Sequence, residues 1–136
     1  MSRSRNAVEN CPVYLASRIL GKRWTILVLQ SLMKPEGGTG LRFSQVQRDL
    51  DWVSPKVLTQ RLRELEDENI VNRVVDATSI PAKVSYSLTS KGEALRKILM
   101  MMQEWGIQYG GEATQSCIGQ GDGFSSCEDC RTLSLD

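Results

Sequence analysis

Residues 54–66 of the 136-residue chain read SPKVLTQRLRELE, and this stretch decides the fold. A serine directly before a proline is a strong helix start, because the serine side chain caps the first turn and proline suits the first helical position. Leu58, Leu62 and Leu65 then recur at steps of four and three residues, which is the spacing of one helical face. The stretch predicts a helix from Ser54 to about Asn69 with one buried leucine face.

The opposite face of this predicted helix is polar and mostly basic, given a rotation of about 100° per residue. Its residues are Lys56, Thr59, Gln60 and Arg63. Glutamine can bind adenine through two hydrogen bonds, and lysine or arginine can bind a guanine or a phosphate. A charged strip is more often only a solvated face. Because this strip lies at the start of a capped helix and before a hairpin, its position favours nucleic-acid binding.

Helical patterns also precede this stretch. Pro12 begins a predicted helix that ends at Leu20, and an apolar stripe over Lys22–Met33 predicts a second helix. A very short strand is expected at 41–43. Ser44 and Gln47 then have the spacing of a capping box, which predicts the start of a short third helix.

A hairpin and a last helix follow the basic strip. Ile70–Val75 and Lys83–Leu88 are rich in strand-forming residues, and apolar residues alternate with serines in the second segment, which predicts a hairpin with one buried face. Thr89 or Ser90 is expected to cap the last helix. That helix is apolar over most of its circumference, so we expect a second subunit to cover what the first helices of the same chain leave open.

The order of these elements is that of a winged helix-turn-helix, so the predicted fold class is mainly α with a small β-hairpin. In this arrangement Ser44–Leu50 would be the supporting helix, Asp51–Val53 the turn, and Ser54–Asn69 the helix that reads the major groove. Arg73 and Lys83, at the edges of the hairpin, are candidates for phosphate contacts.

Composition divides the chain into unequal parts. Residues 1–111 carry sixteen Lys and Arg against eleven Asp and Glu, a net charge of +5, whereas 112–136 carry one against five, a net charge of −4. We predict an N-terminal arm over 1–10, one domain over 11–111, and a Gly-, Ser- and Cys-rich acidic tail over 112–136. The absence of histidine excludes His-dependent hydrolytic catalysis and His-ligated zinc. With no apolar leader and no membrane-length apolar stretch, we expect a cytoplasmic protein with reduced thiols.

Several motifs resemble those of the HxlR-type winged-helix transcription regulators, and the similarity covers roughly residues 11–106. The motifs are Cys11-Pro12, GKRWT at 21–25, Phe43, the run 54–66 and VSYSLT at 84–89. The resemblance implies an operator-binding homodimer with its first and last helices at the dimer interface.

The resemblance also assigns DNA contacts. They would come from the segment between Asp76 and Lys83, which forms the wing, and from Ser54, Lys56, Thr59, Gln60 and Arg63 of the reading helix. The glycine-rich segment Lys34–Leu41 and the tail after Gly111 depart from the family pattern, which leaves the signal that the regulator senses undetermined.

Cys11 is the first candidate for sensing that signal. A thiol at a helix N-terminus lies near unpaired N–H groups and the positive end of the helix dipole, which make the sulfur more nucleophilic. Regulators similar to this one use a cysteine at the Cys-Pro position to sense oxidants or electrophiles. A disulfide to the second subunit or to the tail would then shift the two reading helices. The alternative is a small, inert cysteine that fills space.

The tail carries a second candidate in Cys117, Cys127 and Cys130, whose spacing suits a thiolate site for zinc or an iron–sulfur cluster. Cys11, or an oxygen ligand from Glu128 or Asp129, would complete the site. A redox dithiol and inert thiols are the alternatives.

Two other classes of function compete with a DNA-binding regulator. A small thiol-disulfide oxidoreductase would use Cys127 and Cys130, but such an enzyme normally places this motif at the start of a helix within a βαβ unit. The other class is a winged helix that makes only protein contacts. We predict a homodimeric, sequence-specific DNA-binding transcription regulator that is not an enzyme, with operator binding modulated through its cysteines.

Overall fold

The computed structural model describes residues 2–34 and 40–112. Its helices are α1 (Arg5–Glu9), α2 (Pro12–Leu20), α3 (Thr25–Met33), α4 (Phe43–Asp49), α5 (Pro55–Asp67), α6 (Ser90–Glu93) and α7 (Leu95–Tyr109), and its strands are β1 (Leu41–Arg42), β2 (Val71–Asp76) and β3 (Lys83–Leu88). The predicted fold class is confirmed, since the chain is mostly helical with a small antiparallel sheet and the helix-turn-helix of α4 and α5 precedes the hairpin. Within the predicted arm 1–10, α1 forms a single short helix.

The sheet is antiparallel with the strand order β1-β3-β2. Val71 lies opposite Leu88 at one end of the hairpin and Asp76 lies opposite Lys83 at the other. Leu41 of β1 pairs with Tyr86. The short strand expected at 41–43 therefore lies along the hairpin and joins it to the start of α4.

The core positions α5. Leu58, Leu62 and Leu65 are 0, 1 and 2% exposed, so the predicted leucine face is confirmed. They pack in one cluster with Val28 and Leu29 of α3. Burial of this face on a shared core fixes which side of α5 points to solvent.

Two sequence predictions need correction at helix starts. The helix predicted from Lys22 begins at Thr25, because Trp24 has a left-handed backbone with φ of 72° that interrupts the helical path. Arg42 precedes α4, and its backbone N–H donates to Gln45 Oε1 at 2.8 Å, so Ser44 and Gln47 are not the capping pair.

The last helix also differs from its prediction. Thr89, not Ser90, is its cap, since the Thr89 hydroxyl accepts a hydrogen bond from the Gly92 N–H at 3.0 Å. The predicted single helix is divided at Ala94 into α6 and α7.

The hairpin buries less than its alternation predicts. In β2 only Val71 is buried, whereas Val74 and Val75 are exposed. Tyr86 and Leu88 of β3 are half-buried against the core. The outer half of the hairpin extends past the helices, so solvent reaches both of its faces.

Candidate nucleic-acid interface

The polar face of α5 begins at a well-formed cap. The Ser54 hydroxyl accepts a hydrogen bond from the Val57 N–H at 3.2 Å, and Pro55 occupies the first helical position. Lys56, Gln60 and Arg63 are exposed on the face opposite the leucines. The structure therefore brings the sequence-predicted residues of α5 onto one accessible surface.

The cations of this face are available to a ligand. Within 2–34 and 40–112, the side chains of Lys56 and Arg63 make no hydrogen bond or ion pair. Gln60 Nε2 donates only a long hydrogen bond of 3.3 Å to Glu64 Oε1. Thr59 differs from the others, because its hydroxyl donates to the Pro55 carbonyl at 2.8 Å and its side chain is half-buried.

The charges along α5 run opposite to those that stabilise a helix. No acidic residue lies in the first turn and no basic residue lies in the last turn, although acidic groups favour helix N-termini and basic groups favour C-termini. The C-terminal end is partly compensated by Lys91, whose Nζ donates to the Glu68 carbonyl at 2.6 Å. Lys56 adds its charge to the positive end of the dipole, which makes this end attractive to phosphate.

The turn of the helix-turn-helix is held by Gln47, which the sequence predicted to be a capping residue instead. Its Nε2 donates to the carbonyl oxygens of Leu50 and Val53, at 3.2 and 2.6 Å. Leu50 follows α4 and Val53 lies just before the cap of α5. The two bonds thus fix the angle at which α5 leaves the turn.

A second unpredicted contact connects α5 to the segment before α3. Arg61 donates from Nε to the Arg23 carbonyl at 2.8 Å, and its guanidinium pairs with both oxygens of Glu64 at 3.1 Å. Lys22 Nζ lies 3.4 Å from Glu64 Oε2. Trp24, in the same segment, packs edge-on against Trp52 of the turn, with ring centroids 6.3 Å apart. These contacts hold both α5 and the turn that precedes it against the segment before α3.

The wing carries fewer charges than the predicted DNA contacts suggest. Arg73 and Lys83 are both exposed, Arg73 in the middle of β2 and Lys83 at the start of β3. Between them, the loop 77–82 contains no lysine or arginine, and Ile80 is 99% exposed at its tip. The Thr78 hydroxyl and N–H donate to the Asp76 carboxylate, which keeps the pKa of that carboxyl below its usual value.

Of the four cysteines that the sequence singled out, the structure describes Cys11 alone. Cys11 directly precedes α2 and is partly buried. No group of metal-ligating side chains occurs among residues 2–34 and 40–112. Cys117, Cys127 and Cys130, the other residues of the predicted metal site, lie outside these ranges, so the zinc and iron–sulfur alternatives stay predictions.

The last helix leaves a large apolar surface uncovered. Only Leu99 of α7 is fully buried. Met101 is 63% exposed and Trp105 is 67% exposed. Val13 and Leu15 of α2 are also exposed. Among the described helices, none has the length and apolar character that a membrane span requires.

The chain is similar to known helix-turn-helix transcription regulators. The profile described as HxlR-like helix-turn-helix matches residues 19–114. The transcriptional regulator YodB of Bacillus subtilis is 40% identical over 100 residues, covering 73% of this chain and 85% of YodB. An uncharacterised helix-turn-helix regulator of Methanothermobacter thermautotrophicus is 37% identical over 106 residues, covering 78% of this chain and 77% of its own length.

Solved structures of regulators are also similar to this chain. Reduced YodB from B. subtilis aligns with a TM-score of 0.63 at 39% identity, covering 73% of this chain and 93% of YodB. The redox regulator HypR in its oxidised form aligns with a TM-score of 0.60 at 36% identity, covering 72% of this chain and 96% of HypR. Both similarities are high enough to reflect a common family as well as a common fold.

Proposed function

The chain belongs to the HxlR-like helix-turn-helix family and is a transcriptional regulator of the helix-turn-helix type, and we propose that it binds operator DNA sequence-specifically as a homodimer whose binding responds to thiol oxidation. The observation that supports the DNA contacts is that two cations on the exposed face of α5, Lys56 and Arg63, have side chains with no partner among the residues that the structure describes. A helix-turn-helix places this face in the major groove with the N-terminal residues toward the bases.

The residues of α5 have different roles in this proposal. Lys56, beside the positive end of the helix dipole, binds a phosphate. Arg63 binds a guanine or a phosphate, and Gln60 reads adenine after it releases Glu64. Ser54 and Thr59 supply hydroxyl contacts near the start of the helix.

The hairpin supports these contacts from its edges. Arg73 and Lys83 bind flanking phosphates, since both are exposed and the loop between the strands has no cation of its own. Phosphate contacts position a protein on the duplex without reading its sequence. Sequence specificity would therefore come from α5, and the hairpin would fix the position of the protein along the duplex.

A second copy of this chain is the proposed cover for the apolar surface of α7. Monomeric proteins seldom expose a large contiguous apolar patch, whereas homodimer interfaces are rich in apolar and aromatic residues. Met101, Trp105 and Tyr109 are exposed on one helix, and Val13 and Leu15 of α2 add to the apolar surface. A dimer would also present two copies of α5 to the two halves of a symmetric operator.

Cys11 is the proposed redox sensor. YodB, a relative of this chain, has been solved in reduced, diamide-treated and quinone-bound forms. Cys11 lies at the start of a nine-residue helix, and part of its surface is accessible. Oxidation would join it to Cys11 of the second copy or to a tail cysteine. The tail thiols Cys117, Cys127 and Cys130 remain candidates for zinc, an iron–sulfur cluster or a dithiol.

Salt-dependent DNA binding tests the central part of the proposal. Lys56→Ala and Arg63→Ala should each weaken binding to DNA from the protein's own promoter and reduce the slope of log affinity against log salt by about 0.9 for each lost phosphate contact. Lys97→Ala, which removes an exposed cation of α7, is the control and should leave both quantities unchanged. The proposal is wrong if the α5 variants bind as the unmodified protein does.

A further inference from the structure

The segment 22–24, which joins α2 to α3, borders the face of α5 that is proposed to read DNA. The Lys22 Nζ lies 3.4 Å from Glu64 Oε2. Glu64 Oε1 in turn accepts the hydrogen bond from Gln60, which belongs to the reading face. The segment therefore lies along the side of α5 next to Gln60.

Arg23 is the cation of this border whose charge is not used within the described structure. Lys22 and Arg61 both pair with Glu64. The Arg23 side chain is exposed and has no acidic partner and no hydrogen bond among residues 2–34 and 40–112. Its guanidinium is therefore available to an anion from outside the chain.

The Arg23 guanidinium is held over an aromatic ring. Its Cζ lies 4.6 Å from the centroid of the Trp24 ring, which is a cation–π distance. The Trp24 ring packs against Trp52, in the turn that leads into α5. A stacked guanidinium still presents its N–H donors at its edge, in the fork that fits two phosphate oxygens. The stack also orders the side chain in advance, so less conformational entropy is lost when an anion binds.

The backbone of the segment is held separately from the Arg23 side chain. Arg61 Nε donates to the Arg23 carbonyl at 2.8 Å. Trp24 has a left-handed backbone with φ of 72°, a conformation that bulky residues seldom adopt and that persists only where surrounding contacts hold it. These contacts fix the position of Arg23 relative to α5.

The size of the major groove decides what a side chain at this border would meet. The groove is about 12 Å wide, and a helix with its side chains is about 10–12 Å across. A helix in the groove therefore fills it from wall to wall. Side chains that border the helix then lie over the sugar-phosphate backbone and not over the bases.

We propose that Arg23 binds a phosphate of the operator backbone beside the groove that α5 enters, as a contact separate from the reading helix and the hairpin. The inference rests on the proposed function, in which α5 lies in the major groove. The guanidinium donates two N–H groups to the phosphate oxygens while it stays stacked on Trp24. Because phosphate contacts carry no sequence information, Arg23 strengthens binding to operator and non-operator duplexes by the same factor.

Replacing Arg23 with alanine tests the contact, because the variant keeps the backbone carbonyl to which Arg61 donates. Fluorescence anisotropy measures binding to promoter DNA and to a non-operator duplex between about 50 and 200 mM salt. Both affinities should fall several-fold by the same factor. The slope of log affinity against log salt should become shallower by about 0.9 for each lost phosphate contact. An unchanged slope, or a loss confined to operator DNA, overturns the proposal.

Two further variants separate a specific contact from a general effect of charge. Arg18→Ala removes an exposed arginine beside Asp67 and Glu68, at the C-terminal end of α5, and should leave the slope unchanged. Arg23→Lys should keep the slope and lose part of the affinity, because lysine keeps the charge without the planar fork. An equal loss of slope in Arg18→Ala, or the alanine result in Arg23→Lys, overturns the proposal. Circular dichroism confirms folding of each variant.

Ethylation interference on the promoter fragment locates the phosphate. With the unmodified protein, ethylation of the contacted phosphate should block binding, and with Arg23→Ala that position should become insensitive while the others stay. The same interfering positions in both proteins overturn the contact. Lost affinity in Lys56→Ala and Arg63→Ala with full affinity in Arg23→Ala removes this inference alone, whereas no promoter binding by the unmodified protein counts against the proposed function.

Discussion

The Nε of Arg61 donates a hydrogen bond of 2.8 Å to the backbone carbonyl of Arg23, 38 residues earlier in the chain. This bond ties the middle of the reading helix to the turn that precedes α3. The Arg61 guanidinium also pairs with both carboxylate oxygens of Glu64. Arg61 therefore holds α5 in place, whereas Arg63, two residues later, is exposed and unpaired in the described structure.

Replacing Arg61 with alanine should lower the free energy of unfolding by about 2 kcal/mol, because hydrogen bonds to a partly buried charged group are lost. Urea denaturation measures the change. The matched variant Arg63→Ala should stay within about 0.5 kcal/mol of the unmodified protein, although it weakens DNA binding. Equal stabilities of the two variants would contradict the structural role of Arg61.

Replacing Gln47 with leucine should lower the free energy of unfolding by about 2 kcal/mol, since two carbonyl oxygens in the turn lose their donor while the side-chain volume is nearly kept. Operator affinity should fall with it, with no change in the salt slope. Gln60→Leu is the matched control, because Gln60 is exposed. It should weaken DNA binding with little effect on unfolding, and the reverse pattern would show that the two roles were wrongly assigned.

Replacing Trp105 with glutamate should dissociate the proposed dimer, since a charge would be buried at its interface. Sedimentation velocity at micromolar concentration should then give the mass of one chain. Met101→Glu is a second variant of the same surface, and Glu104→Gln is the control on the same helix. A dimer that persists in both variants would exclude α7 from the interface.

Replacing Cys11 with serine should abolish the effect of diamide on operator binding. Disulfide formation requires two thiols that together give up two protons and two electrons, which diamide accepts. A non-reducing gel distinguishes a bond between two chains from a bond within one chain. If the Cys11→Ser protein still loses or gains DNA affinity on oxidation, the sensor is among the tail thiols instead.

Residues 54–66 were sufficient to predict the main helix and its two faces. Their pattern is local, since the cap, the proline and the leucine spacing all lie within four helical turns, and burial of the leucines followed from it. The hairpin strands and the first and last residues of α2 were also predictable from local patterns. These features depend on neighbouring residues, so a single sequence contains the information.

The contacts that hold the site in place depend on residues far apart in the chain. Arg61 and Arg23 are 38 residues apart, and nothing near either one predicts their hydrogen bond. Trp24 takes a left-handed conformation that is uncommon outside glycine and asparagine, so helical periodicity placed the start of α3 three residues too early. Gln47 resembled a capping residue because its spacing from Ser44 is that of a capping box. In the structure α4 begins one residue earlier, directly after β1, so Arg42 is the capping residue.

The reversed charge order of α5 has a consequence for how this regulator can lose its activity. A peptide of residues 54–69 would be mostly unfolded in water, because its length is marginal for an isolated helix and its charges oppose its own dipole. The reading surface exists only while the leucines beneath it remain packed. Inactivating mutations should therefore be found as often at Leu58, Leu62 and Leu65, which are buried in the core, as on the face proposed to contact DNA.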